Sequence, residues 1–89
     1  MFLVSPKQNI YNIQSAISLM NVTFTLHSKR QIEKRNLTEQ EIIESIRFPD
    51  KTFKKHDKYY FQKDMGRGII EIVCEKTANN IKVITVYWL

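Results

Sequence analysis

Apolar residues along this chain recur with two periods, and the places where one gives way to the other predict its elements. Ile10, Ile13, Ile17 and Met20 stand at helical spacing, with Ala16 near the same stripe. Ahead of them, "SPKQ" at 5–8 has a helix start in it: Ser5 can cap, Pro6 suits the first helical position and Gln8 completes a capping box. This predicts an amphipathic helix to about residue 20, with an almost uncharged polar face suited to packing on the domain or on another chain. From residue 22 the period becomes two. Val22, Phe24 and Leu26 alternate with Thr23 and Thr25, as in a half-buried strand. A short helix is predicted from Ser28 to Arg35, where Ser28 and Gln31 have capping-box spacing and Asn36 is a left-handed stop.

The clearest local signal is "LTEQEI" at 37–42. Thr38 and Glu41 are spaced as a capping box, and Leu37 and Ile42 as a hydrophobic staple. Ile42, Ile43 and Ile46 give the buried face of this helix, which "FPD" at 48–50 ends before Pro49. Four strand-like runs follow, "KTFKKH", "KYYFQK", "GIIEIVCE" and "IKVITVYW", separated by the turns "HDK", "DMGRG" and "TANN". Such short connections require an antiparallel meander. The expected fold is therefore α+β: two short helices, plus the N-terminal helix, packed on one face of a curled, mainly antiparallel sheet of four to five strands. The division expected is an N-terminal helical extension over 1–21 and a domain over 22–89. Met20, two residues before the first strand, makes residues 1–19 a candidate upstream extension; mass spectrometry of the native protein decides this, because a chain beginning at Ser5 or earlier excludes a Met20 start.

Eighty-nine residues suffice for one small domain, and two Gly and two Pro exclude a low-complexity chain. The net charge of +5 favours an anionic partner, and it is unevenly placed: no Asp or Glu occurs in residues 1–32. One cysteine excludes an internal disulfide and a multi-cysteine zinc site, and Cys74 lies in an apolar run where an inert buried thiol is expected. The opening apolar run is too short for a signal peptide, and no run approaches transmembrane length, so no membrane is expected and a cytoplasmic location is.

The order of these pieces resembles domain-of-unknown-function family 4258. That family has a strand ending in His, a short basic helix, "ERGIS" opening a second helix, "NP", and a meander ending "VVTVY". The corresponding pieces here are "TLH" at 25–27, "EKRNLT" at 33–38, "FPD" at 48–50 and "VITVY" at 83–87, within a match over residues 22–89. The family is similar to the RelE-like and BrnT-like toxins, small ribonucleases paired with antitoxins. The resemblance implies a RelE-like fold, metal-independent RNA cleavage with no cofactor, and an acidic antitoxin as partner. One departure stands out: the family's Arg four residues after its His is Gln31 here, and Arg30 lies one step earlier, rotated by about 100° on a helix.

Cleavage through the 2′-hydroxyl needs a base, an acid for the 5′-oxygen and cations for the phosphorane. His27 stands at the predicted strand-to-helix junction and Arg35 eight positions on, two turns away. With Arg67, presented by the "DMGRG" turn, and Tyr87 they form the candidate catalytic set. The plainer alternatives are a capping His27 and an ordinary hairpin loop around Arg67. The candidate RNA-binding residues are Lys29, Arg30, Lys54, Lys55, His56, Lys58 and Tyr59. The segment 51–63 carries five lysines and several aromatics against one Asp, which suits phosphates and unpaired bases. It equally suits an edge hairpin whose lysines block sheet aggregation and whose aromatics fill the core. Glu71 and Glu75, about 13 Å apart along a strand, are expected to be solvated. No phosphate loop, dinucleotide fingerprint or serine-triad signature is present, and two distant histidines give little for a metal. The expectation is a ribonuclease toxin or an inactive relative, with RNA and an acidic antitoxin as partners and a homodimer left open. A noncatalytic RNA-binding or protein-interaction module is the alternative.

Overall fold

The computed structural model describes residues 20–89, so the helix expected before residue 20 lies outside the described residues. Seven elements follow one another: β1 (Asn21–Phe24), α1 (Leu26–Lys34), α2 (Glu39–Arg47), β2 (Lys51–Lys55), β3 (Lys58–Asp64), β4 (Ile69–Lys76) and β5 (Asn80–Trp88). The five strands form one sheet in the order β1-β5-β4-β3-β2. β2 to β5 are the expected antiparallel meander, and β1 joins the far edge parallel to β5, pairing Asn21 with Asn80 and Phe24 with Val83. The α+β fold is as the sequence predicts.

Both helices bury their apolar stripe against one face of the sheet. Ile32 and Leu37, with Ile42 and Ile46 of α2, pack into a cluster with Phe61, Ile70, Ile72, Cys74, Ile81, Val83 and Val86. Ser28 of α1 and Ser45 of α2 are also buried, and each hydroxyl donates to a carbonyl one turn back, Thr25 at 2.8 Å and Glu41 at 2.7 Å. Small, self-satisfied side chains let the helices approach the sheet without stranding a polar group. Cys74 is sealed in this core as expected, and burial pushes its thiol well above the ordinary range.

The local signals in the sequence hold where they are self-contained. Thr38 and Glu41 form the reciprocal capping box, and Asn36 takes φ 60°. Asn36 and Leu37 close a Schellman motif on α1, with Asn36 N–H donating to Glu33 and Leu37 N–H to Ile32, whose side chain meets Leu37 in the core. The first junction differs from expectation. The strand ends at Phe24, and α1 begins at Leu26 rather than Ser28, because Thr25 is the N-cap: its hydroxyl accepts from Ser28 N–H at 3.0 Å. The same hydroxyl donates to the Ile84 carbonyl at 3.3 Å. Ile84 is the residue skipped where the β4–β5 register passes from Val73↔Thr85 to Cys74↔Val83, so Thr25 serves a helix start and a bulge at once.

Candidate functional site

Thr25 fixes where α1 starts, and so where His27 projects. His27 lies in the first turn of α1 and is exposed, with Arg30, Gln31 and Lys34 following at helical spacing on the same side. His27, Arg30, Gln31, Glu33 and Lys34 line an open groove of about 430 Å³. Lys29 and Arg30, with Glu33, Thr38 and Glu39, line a neighbouring groove of about 360 Å³. Gln31 Oε1 is shielded from solvent and lacks a hydrogen-bond partner among the described residues. The groove thus combines an imidazole, two cations and an amide with the Glu33 carboxylate at its side.

The other end of α1 is a clamp. Arg35 Nε donates to the Val86 carbonyl at 3.0 Å, and the Arg35 carbonyl accepts from Trp88 Nε1 at 3.1 Å. Arg67 lies over the Trp88 ring, 5.4 Å from its centroid, and donates to the Asn36 carbonyl at 2.9 Å and to Glu41 at 3.3 Å. The hydrogen bond and charge of Arg67 hold the Glu41 carboxyl below its ordinary value. Gly68 completes the clamp: its φ is +143°, and a Cβ there would stand 2.9 Å from the Trp88 ring.

The sheet face away from the helices carries a third group. Register places Lys51, Gln62, Glu71 and Tyr87 in one row across β2–β5, and Phe53, Tyr60, Val73 and Thr85 in the next. Glu71 is only 8% exposed, which corrects the expectation that it is solvated. Its carboxylate accepts from Gln62 Nε2 at 2.8 Å and from the Tyr87 hydroxyl. Burial first, and then the Glu71 hydrogen bond and charge, push the Tyr87 phenol up to about 12. Phe53 and Tyr60 stack face to face with centroids 4.9 Å apart, both half-exposed. In the third row, Glu75 pairs with Lys58 at 3.2 Å and Lys82 at 3.8 Å.

The predicted residues therefore divide among separate places. His27, Lys29 and Arg30 share the outer side of α1; Arg35 and Arg67 share the clamp; Tyr87 sits on the open sheet face, and Lys55 and Lys58 lie two rows from it. Lys54 is on the helix side, 5.5 Å from the ring centroid of Tyr59, and Tyr59 is in the core. His56 and Asp57 form a two-residue hairpin tip, both with positive φ, 52° and 63°. Sequence reasoning missed Glu71, Gln62 and the Phe53–Tyr60 stack. The short turns carried the signal, since they set the register that aligns these side chains. Among the described residues, no group of three or more His, Cys, Asp or Glu is gathered as a metal site, and no helix is long and apolar enough to cross a membrane.

The family model for a domain of unknown function, DUF4258, matches residues 24–88. No curated protein and no solved structure matches the chain.

Proposed function

This chain belongs to the DUF4258 family, and from that premise we propose that it is a cytoplasmic protein acting on RNA: a metal-independent ribonuclease of the RelE/BrnT toxin kind, or a noncleaving relative, held by an acidic antitoxin. The observation that carries this reading is the α1 groove, where an exposed His27 stands with Arg30 and Lys34. In the reaction, neutral His27 takes the 2′-hydroxyl proton and the 2′-oxygen attacks the adjacent phosphorus. The bond to the 5′-oxygen breaks, and that oxygen takes a proton from solvent. The products are a 2′,3′-cyclic phosphate and a 5′-hydroxyl. Arg30 and Lys34 face the charge that grows on the phosphorane, which is where fixed cations lower the barrier most.

A second reading, a noncatalytic RNA-binding or protein-interaction module, is favoured by a different observation. Arg35 and Arg67 are bonded into the clamp, which leaves the groove with His27 and Glu33 as its acid–base groups and without the other three members of the expected catalytic set. The deciding experiment incubates the purified full chain with structured and unstructured RNA, with and without excess EDTA, and analyses the ends. Cleavage to cyclic-phosphate ends in EDTA, lost in His27→Ala, supports the ribonuclease. Binding without cleavage supports the module. Complete loss of cleavage in EDTA with recovery on adding magnesium sinks the mechanism. Growth arrest on induction, relieved by a small acidic protein encoded next to it, supports the toxin assignment.

A further inference from the structure

Apart from exposed Phe48 just past α2, the described aromatic side chains that neither the core nor the clamp uses lie on the open sheet face. Both helices pack on the other face, and among the described residues nothing covers this one. A solvent-facing sheet ordinarily alternates to polar residues. Here the central row is instead Phe53, Tyr60, Val73 and Thr85, with Tyr87 in the adjoining row. Tyr87 is fixed in place by Glu71, which Gln62 holds in turn. The rim is cationic: Lys51, whose ammonium lies 5.9 Å from the Phe53 ring centroid, stands on one side, and Lys55, Lys58 and Lys82 stand on the other. Against these four lysines stand two carboxylates, of which Glu71 is buried and Glu75 is shared between Lys58 and Lys82.

Flat, half-exposed rings between Lys51 on one side and a row of three lysines on the other match an unpaired nucleotide run, with bases on the rings and phosphates on the ammonium groups. A duplex hides its base faces and offers phosphates alone. An acidic protein segment would use the lysines but brings no planar base to extend the Phe53–Tyr60 stack. Accordingly, we propose that the open face of the sheet is a stacking platform for single-stranded RNA. Phe53, Tyr60 and Tyr87 contact bases there, and Lys51, Lys55 and Lys82 contact phosphates. The inference rests on RNA being the ligand, as proposed above, and adds a surface on the opposite side of the sheet from the α1 groove.

The test measures anisotropy of a labelled single-stranded RNA of roughly ten nucleotides, a length within the range one such site covers, and of the matching duplex. The full chain is compared with Phe53→Leu, Tyr60→Leu, Tyr60→Phe and the triple groove variant Lys29→Ala/Arg30→Ala/Lys34→Ala. Loss of one stacked base weakens binding roughly 5- to 150-fold. The two leucine variants are expected to lose single-strand affinity within that range, leaving duplex affinity and Trp88 fluorescence unchanged, and Tyr60→Phe is expected to bind normally. If only the groove variant loses affinity, the platform is wrong and the RNA-binding groove stands. If only the leucine variants lose it, the platform stands and the groove assignment falls. Equal loss for duplex and single strand overturns the platform. So does a changed oligomeric state in the leucine variants, which gives the face to a second copy, and so does protection of Tyr60 from nitration in the RNA-free monomer, which gives it to residues 1–19.

Discussion

At its C-terminal end, α1 places Arg35 under Trp88 and against the Val86 carbonyl, while Arg67 reaches across from the β3–β4 turn to the Asn36 carbonyl. At its N-terminal end, the same helix leaves His27 exposed and lines a groove with Arg30 and Lys34. The ten residues "LHSKRQIEKR" contain both ends, and their charge is alike. The difference lies in what the rest of the chain brings near. β5 ends beside Arg35 and supplies carbonyls and an indole, whereas near His27 it supplies only the backbone that seats Thr25. A run of cations therefore holds two kinds of residue, one part of the fold and the other free to meet a ligand.

The sharpest way to break that comparison is His27→Ala. A positioned acid–base group is worth about 10²- to 10⁴-fold in rate, so cleavage should fall by that much with an unchanged melt; a lowered melt would make His27 part of the fold. Arg35→Ala comes next and does the reverse. It removes a charged donor from the Val86 carbonyl, costing about 2 kcal/mol, or roughly 10 °C in melting temperature for a domain this small. An unaltered melt would show that the clamp contributes nothing. Arg67→Ala should cost less, about 1 kcal/mol, and should carry a pH signature. Glu41 is held below its ordinary 4.5, so it contributes stability that is present above 4.5 and lost as pH falls below it. Without Arg67 that acid limb should flatten in denaturation curves taken at several pH values.

On the open face the sign is opposite. Tyr87 is raised from 10.0 to about 12, so its contribution is present below pH 10 and lost as pH rises towards 12. Tyr87→Phe should flatten the alkaline limb of denaturation curves and remove a late ionisation from the absorbance titration. Smallest of all, Lys34→Ala should change stability by no more than about 0.5 kcal/mol and lower the salt dependence of RNA binding by about one phosphate contact.

What the sequence made legible was whatever lies within a few residues. The Thr38–Glu41 box, the Asn36 stop and the turns of the meander each depend on neighbours in the chain, and each stands where the pattern puts it. The start of α1 did not, because the hydroxyl that caps it is also held by a carbonyl 59 residues away. Arg35 is the C-cap one residue past α1 rather than its last helical residue, and its bonds to Val86 and Trp88 depend on tertiary neighbours that helical spacing cannot supply. Glu71 looked solvated because alternation puts it on the outer face; its burial comes from cross-strand partners, Gln62 and Tyr87, visible only once register is known.

The parallel pairing of β1 with β5 has a consequence for the order in which a ribosome makes this protein. The strand that leads into α1 is among the first described segments to emerge, but its partner is the last. Until β5 is released, Thr25 has no bulge to hold, Arg35 has no carbonyl to reach and β1 has no edge to join. The meander from β2 to β4 can zip as it is translated, whereas closure of a contact this distant in sequence is slow and waits for β5. A nascent chain stalled before residue 80 should therefore stay open to protease around His27 and become resistant only once β5 has emerged. The His27 side of α1 would then take shape late in synthesis by topology alone.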